Sequence, residues 1–245
     1  MITKTDHCAL VTGGSRGVGA RVAQLLAESG SDVAITYRNK AARAQEVISG
    51  VEATGRKGFA SQSDMTVESD LEALMASLRE SFGKLDLLVL NASGGMEKGK
   101  GDDYALLLNR TAQSRMVDHA LPLMPEGSLI VFVTSHPAHF YPERPVYEAY
   151  ETVASSKRAG EDALRARIPE LAERGIRLIV VSGDLIEDTI TAKLLDRSAP
   201  GLIEFRRNQA GALPTIDEFA RGIVAASQDE TLASGDTVFV GSTEY

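Results

Sequence analysis

Cysteine is nearly absent from this chain. Cys8 is the only one in 245 residues, so no intrachain disulfide can form and a reducing compartment suits it. It lies in an apolar run and reads as a small buried residue. Basic residues are also short, 26 Lys and Arg against 34 Asp and Glu, for a formal net charge of −8. That balance argues against a broad nucleic-acid or anionic-membrane surface and leaves room for a local basic pocket. No apolar run approaches the ~20 residues of a membrane span, and residues 1–6 carry no apolar signal core. A cytoplasmic location with no membrane partner is the expectation. Low-complexity tracts, linkers and repeats beyond a strand–helix alternation are missing too, and no metal site is expected. Residues 1–245 are therefore read as one α/β domain, long enough to bury a substantial core.

What is present begins with a strand, a glycine loop and a helix. Ala9-Leu10-Val11 runs through Thr12 into Gly13-Gly14-Ser15-Arg16-Gly17-Val18-Gly19, and Val18, Val22, Leu25 and Leu26 then recur at helical spacing up to Gly30. Glycines let a backbone approach a pyrophosphate, whose charge the helix N-terminus favours. The next strand, Asp32 to Tyr37, ends at Arg38, where enzymes that prefer NAD commonly place an acid for the adenosine ribose. Arg16 and Arg38 can instead clamp a 2′-phosphate, which favours NADPH. The plainer reading is that Arg38 merely opens the basic Arg38-Asn39-Lys40 loop.

The alternation continues. A helix is expected from Ala41 to Thr54, a strand from Gly58 to Gln62, and a helix from Glu68 to Phe82 with Leu71, Leu74, Met75 and Leu78 on one face. Leu85 to Leu90 reads as a buried strand that runs into Asn91-Ala92-Ser93-Gly94-Gly95. A loop from Met96 to Asp103 leads to a helix from Tyr104 to Met124, then a strand from Ser128 to Val133 closing at Thr134-Ser135. His136, His139, Tyr141 and Pro137, Pro142 and Pro145 read as a loop, and Val146 to Ile168 as a helix that Pro169 ends or kinks. A strand from Arg177 to Val181 reaches Ser182-Gly183, and 187–212 reads as a mobile segment covering a substrate. Thr215 and Glu218 match a capping box for a last helix to Ser227, and Thr237 to Val240 is the final strand. Strands alternating with helices imply a doubly wound parallel sheet, which binds ligands past the strand C-termini, where Asp64 and Asn91 fall.

On a helix of ~3.6 residues per turn, Tyr150 and Lys157 share one stripe, roughly 10 Å apart along the axis. A phenol and a fixed ammonium suit reduction of a polarised double bond. One turn closer to Lys157 stands Val153, which cannot donate a proton. The bland alternative is an amphipathic tyrosine beside a solvated lysine.

With these stations in place, the whole chain resembles the short-chain dehydrogenase/reductase superfamily. Thr12-Gly13-x-x-x-Gly17-x-Gly19, Asp64, Asn91-Ala92-Ser93-Gly94, Asn109, Ser135, Lys157 and Ser182-Gly183 carry the likeness. It implies a single Rossmann-type domain with a seven-stranded parallel sheet, helices on both faces and a nicotinamide cofactor. It also implies a homo-oligomer, a homodimer or homotetramer. The Tyr150 helix and the Tyr104 to Met124 helix would form the subunit contact, consistent with apolar Leu106, Leu108, Met116 and Leu121. Cofactor contacts are implied for Gly13, Ser15, Arg16, Gly17, Val18 and Gly19 of the loop, and for Tyr37, Arg38, Asp64 and Met65 at the adenosine side. Asn91, Ala92, Ser93, Gly94 and Lys157 follow in the middle, with Ser182, Gly183, Leu185 and Thr189 beyond.

Most members carry Tyr-x3-Lys. Tyr150-x6-Lys157 instead resembles enoyl-acyl-carrier-protein reductases, in the NADPH-using branch that keeps this glycine loop, and so implies a role in fatty acid biosynthesis. Catalytic roles are implied for Tyr150, Lys157, Ser135 and Asn109. Lys157 would hold the ribose hydroxyls and lower the Tyr150 pKa by its charge. The spacing has a physical sense. A ketone takes hydride on the carbon bearing oxygen, whereas an enoyl thioester takes it on the β carbon, two bonds from the carbonyl carbon, so the oxygen's donor stands farther from the nicotinamide. The substrate is then a small or carrier-protein-bound acyl group. Alternatives are a carbonyl or 3-ketoacyl reductase, with Tyr150 or Tyr147 as acid, and a non-catalytic NADPH-binding regulator. His136 and His139 are weaker acid candidates.

Overall fold

Buried apolar strands pair in parallel when helices supply the crossovers. The computed structural model describes residues 7–97, 99–101 and 103–244. Residues 1–6, read above for a signal core, lie outside that description, as do 98 and 102 within the expected loop. The strands are β1 (His7–Val11), β2 (Ser31–Tyr37), β3 (Gly58–Gln62), β4 (Leu87–Leu90), β5 (Leu129–Ser135), β6 (Arg177–Gly183) and β7 (Thr237–Val240). They form one seven-stranded sheet in the order β3-β2-β1-β4-β5-β6-β7, parallel throughout. β1 pairs with both β2 and β4, so the strand order reverses there and opens a crevice at the C-terminal edge.

Successive side chains of a strand face opposite ways, and the two faces of the sheet bury separate cores. Ala9 and Val11 pack with α1 (Gly17–Glu28) and α2 (Ala41–Glu52), whereas Leu10 packs with α3 (Glu68–Ser81). The expected helix from Tyr104 to Met124 is interrupted. It consists of α4 (Tyr104–Leu106), a π-helical turn (Leu107–Thr111), α5 (Ala112–Ala120) and a 3-10 turn (Leu121–Leu123). A single extra residue in a turn leaves the apolar spacing nearly unchanged, which is why periodicity reads it as one helix.

The proline-rich stretch expected as a loop contains α6 (His136–His139), with Pro137 in its first turn, where a missing N–H costs nothing. The helix expected from Val146 to Ile168 is a 3-10 turn (Glu148–Tyr150), α7 (Glu151–Arg165) and a separate α8 (Ile168–Glu173) that Pro169 opens rather than ends. Tyr150 therefore sits at the N-cap of α7, not within its regular turns. Segment 187–212 folds into α9 (Ile190–Ser198), capped by Thr189, and α10 (Leu202–Ala210). The capping box of Thr215 and Glu218 is formed and starts α11 (Ile216–Gln228). Among the described residues no helix is long and apolar enough to cross a membrane.

Candidate active site

Thr12, fully buried at the end of β1, ties the glycine loop to β4. Its hydroxyl accepts the amides of Asn91 and Ala92 at 2.9 and 3.0 Å, and the Asn91 side chain donates to the Thr12 carbonyl at 2.9 Å. The Gly13 amide donates to the Thr36 hydroxyl at 3.0 Å. Gly19 has no substitute here, because a Cβ would stand 2.6 Å from the Asn91 side-chain nitrogen and from the Gly13 carbonyl. The loop thereby presents its backbone to a cleft of about 560 Å³ at the positive end of α1.

Gly13, Ser15, Arg16, Gly17, Val18 and Gly19 line this cleft, as do Tyr37, Arg38, Asp64 and Met65, and Asn91, Ala92 and Ser93. Lys40 and Arg43 line it as well. Sequence reading passed over Arg43, although its place near the start of the helix after Arg38 was the available signal. Arg38 donates to the Tyr104 hydroxyl. Burial pushes the Asp64 carboxyl up, but hydrogen bonds from Thr66 and the charges of Arg38 and Lys100 leave it below the usual carboxylate range. Four cations around one cleft fit the extra phosphate of NADP.

An adjoining cavity of about 270 Å³ shares Arg16, Val18, Ser93 and Thr189 with the cleft and holds Gly94, Ser135, Tyr147, Tyr150, Lys157 and Leu185. β5 delivers Ser135 and the start of α7 delivers Tyr150; their hydroxyls share a hydrogen bond of 3.1 Å. Burial raises the Tyr150 phenol, and the Ser135 bond opposes it. The expected lowering of the Tyr150 phenol by the Lys157 charge is not found. Lys157 itself is lowered from 10.5 to about 8 by burial, with Glu161 one turn on pulling the other way.

Asn109 lies in the π-helical turn and lines neither cavity. Its Oδ1 accepts from the Ser93 hydroxyl and Gly94 amide at 3.0 and 3.2 Å, while Nδ2 donates to the Gly94 carbonyl and Ser156 hydroxyl at 2.8 and 2.9 Å. Its side chain is thus spent on positioning the Ser93-Gly94 loop. Ser182 and Gly183 also stand behind the wall: Ser182 pairs with the His136 Nδ1 at 2.8 Å, and Gly183 packs against Phe219. Their successors Asp184, Leu185 and Ile186 form the wall instead. His136 is fully buried and lowered to about 4 by burial, hence neutral, and His139 is paired with buried Glu161 at 2.8 Å. Asp184 and Arg206, which sequence reading did not single out for the site, line the cavity as an ion pair of 2.9 Å. Arg206 falls in the 187–212 segment expected to cover a substrate, but nothing in local spacing pairs it with Asp184 at the end of β6.

Fold and site define a nucleotide-binding reductase of the Rossmann type. The sequence profile of short chain dehydrogenase matches residues 7–198, and the chain belongs to that family of oxidoreductases. It is similar to a hydroxynaphthalene reductase of Aspergillus fumigatus, 32% identical over 202 residues that cover 79% of this chain and 71% of the relative. A 1-cyclohexenylcarbonyl-CoA reductase of Streptomyces collinus is 32% identical over 184 residues, 73% of this chain and 64% of that protein. Among solved structures, a short chain dehydrogenase of Burkholderia cenocepacia in complex with NADP superposes with a TM-score of 0.81 at 28% identity, covering 97% of each chain.

Proposed function

We propose that this protein is an NADPH-dependent reductase of the carbon–carbon double bond of an enoyl thioester. One observation carries the reading. The phenol bonded to Ser135 in the reaction cavity belongs to Tyr150, six intervening residues before Lys157, while the nearer position is filled by the buried, apolar Val153. The S. collinus relative supports it, since its name describes a ring double bond conjugated with a thioester carbonyl. The NADP complex of the B. cenocepacia relative and the cations of the cleft support the cofactor.

Bound in the cleft, the cofactor supplies the hydride. Arg16, Arg38, Lys40 and Arg43 hold its phosphates, and Lys157 holds the ribose hydroxyls. Tyr150 donates to the substrate carbonyl oxygen and stabilises the negative charge that develops there when the β carbon is reduced. Ser135 orients the phenol. Val153 lines the cavity with Gly95 packed behind it. The enolate α carbon then takes up a proton from solvent, which completes the saturated thioester.

A carbonyl reductase is the second reading, favoured by the Ser135–Tyr150 bond and by similarity to a hydroxynaphthalene reductase. Wild-type protein with NADPH is given a trans-2-enoyl thioester and, separately, a 3-ketoacyl thioester. Saturated product from the first is expected; alcohol from the second alone selects the carbonyl reductase.

A further inference from the structure

The reaction cavity contains a second polar station. Asp184 and Arg206 are 5% and 2% exposed, yet both reach the cavity wall. Their pair is bidentate, Nε to Oδ1 and Nη2 to Oδ2, each at 2.9 Å. Arg206 also donates to the carbonyls of Ser242 and Glu244. The Asp184 Oδ1 takes a further bond from the Leu185 amide at 2.7 Å. Oδ2 accepts only the Arg206 bond among the described residues and so keeps an acceptor site.

Tyr147 lines the same cavity as this pair. Burial raises its phenol, with the charges of Arg206 and Asp184 acting in opposite senses. The Tyr147 hydroxyl has no hydrogen-bond partner among the described residues, although its ring is half-buried in the cavity wall. The rest of the wall is largely apolar, with Val133, Pro137, Leu185 and Leu195. A plain hydrocarbon chain laid against Asp184 and Tyr147 would desolvate a carboxylate lone pair and a phenol without replacing their water. A hydroxyl both donates and accepts, and so matches a carboxylate and a phenol on one wall.

We infer that the cavity selects acyl groups bearing a hydroxyl away from the reacting bond, which donates to Asp184 and accepts from Tyr147. The identity of the reacting bond rests on the function proposed above; the distal contact does not. Asp184 and Tyr147 are specificity-determining residues, and a simple fatty acyl chain is the poorer substrate.

The test pairs trans-2-enoyl thioesters of increasing chain length, each ending in a methyl or in a hydroxyl group. At one length the hydroxylated member is expected to exceed its partner by roughly tenfold or more in kcat/KM, the usual worth of a hydrogen bond to a charged group. Tyr147→Phe, checked for an unchanged melting curve, removes the neutral bond and leaves the one to Asp184, and is expected to lower that ratio severalfold. Equal values at every length overturn the inference, as does an undiminished ratio in Tyr147→Phe. If no enoyl thioester turns over, the proposed reaction fails by itself. The distal contact is then read by calorimetry, titrating saturated thioesters with and without the hydroxyl into NADP-loaded protein. Tighter binding of the hydroxylated member sustains the inference, and equal binding removes it.

Discussion

Tyr150, Lys157 and the cations of the cleft set what individual side chains can be asked. Tyr150→Phe keeps the ring that packs with Val153 and Ala154 and removes only the hydroxyl bonded to Ser135. Folding and NADPH binding should survive, while turnover falls roughly 10²–10⁴-fold, the usual size of an acid or oxyanion contribution. Single-turnover rates alongside a cofactor titration check both halves. Lys157 gives a pH dependence. Burial lowers its folded-state pKa to about 8, so the ammonium is present below that pH and lost as pH rises through it. NADPH affinity should therefore decline between neutral pH and pH values well above 8, and Lys157→Met should bind weakly with a flat profile. Glu161→Gln should move the decline to lower pH, because the Glu161 charge holds the ammonium on. For the cleft, Arg38→Ala and Arg43→Ala should each weaken NADPH far more than NADH. A charge-assisted contact is worth ~1.5–3 kcal/mol. Equal losses for the two cofactors would remove the 2′-phosphate assignment.

Among the elements, the π-helical turn and α7 form the joint on which the site depends. A Cβ at Gly160 would overlap the carbonyl oxygen of Asn109, so only glycine lets α7 approach this turn. The Asn109 side chain in the same turn clamps the Ser93-Gly94 loop between the cleft and the cavity. Gly160→Ala should destabilise the fold by ~1–3 kcal/mol, as overpacking does. It should also weaken NADPH binding beyond that loss, since the clamp moves with the turn. Chemical denaturation and a cofactor titration at saturating stability separate the two effects. Element α10 is a second joint. The Asp184–Arg206 pair and the carbonyls of Ser242 and Glu244 hold it to the end of β6 and to the C-terminal stretch. The second helix of segment 187–212 is thus braced from two sides.

For the whole molecule, association is the property at issue. Leu108, Met116 and Leu121, which suggested a subunit face, are buried in the chain's own core and cannot argue for a partner. Leu106 and Leu107 remain, 39% and 37% exposed where α4 meets the π-helical turn beside α7. We propose a homodimer or homotetramer through this face. Light scattering at micromolar concentration should give a multiple of the 26.2 kDa chain, and Leu106→Glu with Leu107→Glu should lower it. A strictly monomeric wild type would end the proposal.

Much of the architecture was legible before any coordinates. The strands Gly58–Gln62 and Thr237–Val240, the buried face of Leu71, Leu74, Met75 and Leu78, and the cap at Thr215 follow from neighbours in the chain. So does the glycine loop, because its strand, turn and helix are consecutive. These are short-range matters of period, capping and backbone freedom, and one sequence determines them. Tertiary structure alone decided the rest. Lys157 holds its proton less tightly through burial, the π-helical turn lies where Gly160 and Ser156 meet Asn109, and Asp184 met Arg206 across 22 positions. Each depends on which distant groups share a low-dielectric space, and that is set by packing rather than by spacing along the chain.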